Sequence, residues 1–361
     1  MQSKRLGYID IAKCTAIVFI VVGHMGIVYN ADVIVGGMPS GIVSFAFTFH
    51  LPVFLILSGY FFREDAAPSI TLLKKDARNL LLPYAVTSGL IVGGCTLAAH
   101  YHGLKRKAEL LRWVQAALWG AGGRIPNALW DVERIGGIWF LLALFWAHLL
   151  IVSTHKLPAW ARLLTLAICT CAMSISAHYV WLPWSIQAGF GCAIYLYVGM
   201  LIRRVDGFSY KKPIAFVIVL MAAWGYVILQ RGGGSLASQD YPLGALTMLG
   251  GVAATLLIVS VCRSIETRAV QMSRFMQWIG RNTLVILCVH ILEDDVIWWG
   301  QVGAWFTGVT GGRPWTWVLV LLIRFAVDAA LVGLLWVIPP LRVVFFPQAR
   351  KKGEDDSTEG R

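Results

Sequence analysis

Ten stretches of this chain are apolar over roughly the length a helix needs to cross a bilayer, and that pattern constrains the fold more than anything else in the sequence. They run over about 9–29, 42–62, 80–99, 136–153, 163–180, 187–202, 213–230, 242–262, 283–299 and 316–338. A spanning helix needs about 20 residues to cover roughly 30 Å of hydrocarbon. No stretch between them has the composition of a soluble domain: the chain is 58% hydrophobic and 14% charged, against about 25% charged in an ordinary soluble domain. The expected fold is all-α, a polytopic integral membrane bundle of about ten transmembrane helices over residues 1–345. A polar, disordered cytoplasmic tail is expected over 346–361. The basic start (Lys4, Arg5) and the apolar run after it resemble a signal peptide, but no small-residue cleavage site follows, so the run reads as a retained first span.

The net charge of +12 raises the question of a nucleic-acid partner. The bases are scattered between apolar runs, with no basic stripe interleaved with aromatics, so no nucleic acid is expected. They alternate instead between loops. With both termini in the cytoplasm, Arg63, Lys74, Lys75, Arg78, Lys156, Arg162, Arg203, Arg204, Lys211, Lys212 and Arg263 all fall on the inner side. The exception is the long loop 100–135, which carries Arg112, Arg124 and Arg134. Within it "AELLRWVQAALWG" predicts an amphipathic helix on the membrane surface. The seven cysteines lie in or beside apolar runs without metal-ligand spacing and are expected to pack as small apolar residues. Trp130, Trp139, Trp181, Trp184, Trp298 and Trp299 near span ends predict an interfacial belt, with a sugar-stacking platform as the alternative.

Charge inside a span costs about 2.5–3.5 kcal/mol per residue on insertion scales, so ionisable residues there are candidates for function. "IDIAKCTAIVFIVVGHMG" carries three: Asp10, Lys13 and His24. Asp10 and Lys13 share a helix face and can pair, either as an interfacial ion pair or as part of a site. His24 lies eleven residues beyond Lys13, which is about 1100° of rotation and about 16 Å of rise, on nearly the same face. In the second span "FAFTFHLPVFLILSGYFF" places His50 at a similar depth, with Pro52 loosening the helix beside it. A polar pocket between His24 and His50 is the expectation. Histidine suits proton abstraction near neutral pH, and a carboxylate, either Asp10 or one of Glu293, Asp294 and Asp295 after His290, could tune it. No motif such as H-E-x-x-H calls for a metal, and none is expected.

"DIAK" followed by "VVGH", then "FTFHLPVFLILSGYFF", "ARNLLLPY", "IWFLLALF" and "IGRNTLVILCVH", in that order, resembles the acyltransferase family 3 membrane proteins, and among them the fucose 4-O-acetylase-like sugar acetyltransferases. The resemblance implies transfer of an acyl group, usually acetyl, from a coenzyme A thioester to a hydroxyl of a glycan or lipid-linked sugar, by a protein of a bacterial-type cytoplasmic membrane. It places the family's first-span basic residue at Lys13, where many members have arginine, and its essential histidine at His24. In this reading acetyl-CoA docks its nucleotide on Arg63, Lys75 and Arg78 at the inner face. Its arm, about 20 Å long, then brings the thioester to His24, which acts either as general base or as transient acyl carrier. His50 or Trp139 would stabilise the oxyanion, and Trp139 and His290 would face the acceptor. The competing class is a transporter or flippase for a glycan or small metabolite, which would also bury charge. The absence of a visible internal repeat counts against it.

Overall fold

The computed structural model describes residues 6–28, 38–63, 70–123, 132–208 and 213–346. Lys4, Arg5, Arg124, Trp130, Lys211, Lys212 and the tail from 347 onward lie outside the described residues. The first half of the chain forms α1 (Gly7–Val28), α2 (Ser40–Phe47), α3 (His50–Phe61), α4 (Ile70–Asp76), α5 (Leu82–Tyr101), α6 (Arg106–Trp119), α7 (Trp139–Ser153) and α8 (Ala159–Ala177). The second forms α9 (Ile186–Arg204), α10 (Ile214–Leu229), α11 (Ala245–Arg268), α12 (Val270–Arg281), α13 (Thr283–Val296), α14 (Trp299–Thr310), α15 (Thr316–Val337) and α16 (Pro339–Phe345). Among the described residues there is no strand beyond one isolated bridge, Ser235 to Asp240. The molecule is an all-α polytopic membrane bundle.

Every predicted run contains a helix, but two fall short of a simple span. Among the described residues, eight helical segments are long and apolar enough to cross on their own, nine if α12 and α13 are taken together. The run 213–230 yields only the sixteen residues of α10. The run 283–299 breaks instead into α13 and the start of α14, with α12 joined to α13 through a 68° bend at Asn282. With the shorter apolar α10 beside them, these helices account for the ten apolar runs. Hydropathy adds up apolar residues without seeing where a helix stops.

The helix α1 is the hub. It packs against α2, α3, α11, α12 and α13, and Ile9, Ile11, Ala12, Ala16 and Ile17 are fully or almost fully buried. Its mixture of small and β-branched residues leaves it no lipid face, which is why it tolerates charge. By contrast α8 and α10 present Ile168, Ile175, Ile218 and Met221 outward, as lipid-facing helices do. The expected amphipathic helix is α6, which buries Trp113, Ala116 and Trp119 and exposes its charged side. Burial divides the expected tryptophan belt: Trp139, Trp181 and Trp299 are interior, whereas Trp184 and Trp298 are exposed.

The helices α3 and α9 approach each other backbone to backbone. A Cβ on Gly59 would overlap the Leu196 carbonyl oxygen, and one on Gly199 would overlap the Ile56 carbonyl. Without a hydrophobic drive between helices in lipid, such backbone approach is how they gain packing energy. Gly59→Val should lower stability by about 3 kcal/mol, since the neighbour is backbone and cannot yield. Gly93→Ala, in open space, should change it by no more than about 1 kcal/mol. Unfolding of both variants in detergent checks this, and equal losses would refute the tight approach.

Candidate functional site

The helices α1 and α13 run side by side in the same direction, so residues along one meet residues along the other in order. Near their starts, Arg281 Nε lies 3.5 Å from Asp10 Oδ2. At their far ends His24 meets His290, with His24 Nδ1 3.2 Å from His290 Nε2 and ring centroids 5.1 Å apart. About 14 residues, or roughly 21 Å of helix, separate Asp10 from His24. The two therefore belong to different ends of α1.

Behind His290 stands a buried charge cluster. His290 Nδ1 is 2.9 Å from Glu293 Oε1 and 3.3 Å from Asp328 Oδ2. Arg324, one turn before Asp328 on α15, donates through Nε and Nη2 to Glu293 Oε1 (3.0 and 2.6 Å) and through Nη2 to Asp294 Oδ1 at 2.6 Å. Its guanidinium lies over the Trp299 ring, 5.1 Å from the centroid, and the indole N–H of Trp299 donates to the Glu293 carbonyl at 3.2 Å. Arg134 reaches in from the loop before α7, 3.5 Å from Asp294 and 3.4 Å from Asp295. Gly136 and Gly137 let that loop lie close: a Cβ on Gly136, at φ 71°, would crowd Ile291, and one on Gly137 would approach both Ile291 and His24.

The charge balance is informative. Four carboxyl groups (Glu293, Asp294, Asp295, Asp328) face two guanidiniums, with the imidazoles of His24 and His290 beside them. A proton arriving on His24 would sit 3.7 Å from Asp294. With Nδ1 turned to His290 and Asp294, Nε2 is the nitrogen left to meet a group in the cavity. His290, Glu293 and Asp328 also offer ligand atoms within 4.8 Å of one another, which could hold a metal ion. The Arg324 guanidinium bonded to Glu293 already puts a fixed cation against that set.

His24 opens onto a cavity of about 450 Å³. Its wall is mostly apolar, with Ile17, Ile20, Phe54 and Leu141 among the residues that form it, and His24, His50, Asn79, Arg134 and Trp139 supply most of its polar groups. Trp139 begins α7 buried and packs over Gly122. His50 shares the cavity with His24, but its Nδ1 donates to the Ala46 carbonyl at 2.6 Å and its ring stands edge-on to Phe47. The histidine that partners His24 is therefore His290. Lys13 occupies the same face of α1 below Ile17, with its ammonium 5.9 Å from the Phe61 ring centroid. Arg63, Lys75 and Arg78 are exposed at the Phe61 end of α3 and the segment just beyond it.

Two residues of the cluster were missed in the sequence. Arg324 and Asp328, at i and i+4 in the last span "IRFAVDAALV", were legible as a charged pair within an apolar run. Arg134 was read as a loop charge, because nothing in the sequence brings its loop back onto α13.

Arg324→Met should cost about 3–5 kcal/mol, because it strands Glu293 and Asp294 as buried charges. Arg324→Lys should cost less. Denaturant titration in detergent measures both, and a neutral Arg324→Met would mean the carboxylates are not charged together.

Among known proteins, no curated protein and no solved structure matches this chain. A family model described as an acyltransferase domain matches residues 6–333, from the start of α1 to the last turns of α15. The match takes in Lys13, His24, His290 and the whole of the buried charge cluster. The chain belongs to the acyltransferase family 3 membrane proteins.

Proposed function

We propose that this membrane acyltransferase moves an acyl group, acetyl in the first instance, from acyl-CoA to a hydroxyl of a glycan or lipid-linked sugar, with His24 as general base. The observation that carries the reading is the His24–His290 pair: an imidazole on the wall of an apolar cavity, backed by a second imidazole and two carboxylates. The acceptor O–H gives its proton to His24 Nε2 as its oxygen bonds to the thioester carbon. The C–S bond breaks, and the thiolate leaves as CoA-SH once protonated. The developing imidazolium is stabilised through His290 and Asp294, as a carboxylate stabilises the imidazole of a catalytic triad.

An oxyanion stabiliser must donate a hydrogen bond. His50 Nδ1 carries its proton toward Ala46, so in the neutral ring Nε2 can only accept. Trp139 and Arg134 are the better donors on the same wall.

The donor end fits the distribution of charge. Arg63, Lys75 and Arg78 form an exposed basic rim at the end of α3 remote from His50. Lys13 lies eleven residues, about 16 Å, from His24 on the cavity face of α1. An arm of about 20 Å spans that interval. In this reading the rim faces the cytoplasm, where acyl-CoA is made, and the acceptor meets His24 from the opposite side.

Purified protein in proteoliposomes, given labelled acetyl-CoA and a lipid extract of the source cells, should label a glycolipid. His24→Gln should lower kcat about 100- to 10,000-fold; wild-type turnover in that variant would refute the base assignment. No labelling by the wild type would favour transport. Replacing Lys75 and Arg78 together by alanine should raise the KM for acetyl-CoA about threefold or more with kcat kept, since two exposed contacts are lost. An unchanged KM would leave them as orientation signals only.

A further inference from the structure

Three polar side chains lie about one helical turn beyond the cavity wall, on the side away from His24. On α3 the wall carries Leu51 and Phe54, and the next residue on that face is Ser58. On α7 it carries Leu141 and Leu144, and the next is His148. Before α5 it carries Asn79 and Leu80, and one turn earlier stands Asp76. These three residues meet. His148 Nδ1 is 3.0 Å from Asp76 Oδ2, and Ser58 Oγ is 3.3 Å from His148 Nε2. Asp76 and His148 are buried, and the Phe62 ring lies 4.8 Å from the imidazole centroid. Ser58 is only half-buried. The backbone directly after Asp76 makes a single π-helical turn, Ala77–Leu81, an uncommon form that often marks functional sites.

The polarity of the chain of bonds can be worked out. A carboxylate only accepts, so His148 Nδ1 carries the proton. The neutral ring then has its lone pair on Nε2, and the Ser58 hydroxyl donates to it. What Ser58 leaves for the space beside it is its own oxygen lone pairs. The trio is therefore an oriented acceptor for an N–H group.

We infer that Ser58, held by His148 and Asp76, binds an amide N–H of the donor's pantetheine arm, a role that rests on the acyl-CoA reading above. Depth selects the amide. Ser58 lies eight residues along α3 from His50, about 12 Å. In an extended arm the amide farther from sulfur lies roughly 9 Å from it, by bond counting, and the nearer amide only about half as far. The farther amide thus reaches Ser58 when the thioester is at the depth of His24. The same three side chains have the order of an activated nucleophile, but an acyl group on Ser58 would be stranded about two turns of helix from His24.

The test compares three acetyl donors with the full-length protein in the same proteoliposomes and lipid extract. Acetyl-CoA and S-acetylpantetheine carry both amides, whereas S-acetyl-N-acetylcysteamine carries only the nearer one. Ser58→Ala and Asp76→Asn should raise KM about 3- to 10-fold for the first two donors, the worth of one hydrogen bond. They should leave kcat and the third donor unchanged, and Ser58→Thr should restore the wild-type KM. An equal change with all three donors would mark a purely structural role and overturn the inference. So would an acetyl group found on Ser58 by peptide mass spectrometry in the His24→Gln variant. Neither result touches the acyl-CoA reading. Wild-type protein that uses none of the three donors overturns that reading and this inference together.

Discussion

The contact on which the rest of the site depends is the Arg324 guanidinium bonded to Glu293 and Asp294 inside the bundle. Four carboxylates within a few ångströms could not stay charged there unaided, because desolvation and mutual repulsion both favour protonation. Arg324 from α15 and Arg134 from the loop before α7 set their guanidiniums against Glu293, Asp294 and Asp295. The cluster fastens three separated pieces of sequence around the end of α13. It also explains why α13 stops at Val296: its last turn is occupied by charge, and Trp299 folds back to donate to the Glu293 carbonyl and cover the guanidinium.

That fastening gives the imidazoles their chemistry. In the reading proposed for His24, a proton taken up from the cavity would sit beside Asp294. A base flanked only by apolar groups would resist becoming charged. This one gains a compensating field as it does so, from groups already in place before any substrate arrives. Such preorganisation is the electrostatic contribution that a rigid site can make without reorganising during the reaction.

How much of this was legible in the sequence depended on distance along the chain. Every apolar run holds a helix, and the facing of Lys13, Ile17, Ile20 and His24 along α1 follows from helical rotation alone. The amphipathic segment after α5 is likewise a matter of local pattern. Partnership between helices was harder. Equal depth suggested His50 for His24, and the two do share a cavity, but rotation about α13 gives the ring contact to His290. The Ala46 carbonyl, four residues back on the chain, takes His50 Nδ1 instead. Burial of Trp139, Trp181 and Trp299 shows the same limit, since a tryptophan near a span end is equally suited to the lipid interface and to the interior. Arg324 and Asp328 differ, because two charges one helical turn apart in an apolar run are visible without any structure.

The polar groups in and around the cavity are separated by purpose. His24, Arg134 and Trp139 stand on its wall, whereas Ser58, His148 and Asp76 lie about one helical turn beyond the wall residues Phe54, Leu144 and Leu80. For the acyl-CoA donor proposed above, an apolar wall would take up a thioester and a methylene chain without competing for their few polar atoms, and would keep water from the acyl carbon. It would also leave the bonds at those two levels to fix how far the donor enters. A donor held at the level of Ser58 presents its carbonyl to His24 only if the intervening length is right. On this account the depth of the chain's own helices, more than the shape of the middle, decides which thioesters react.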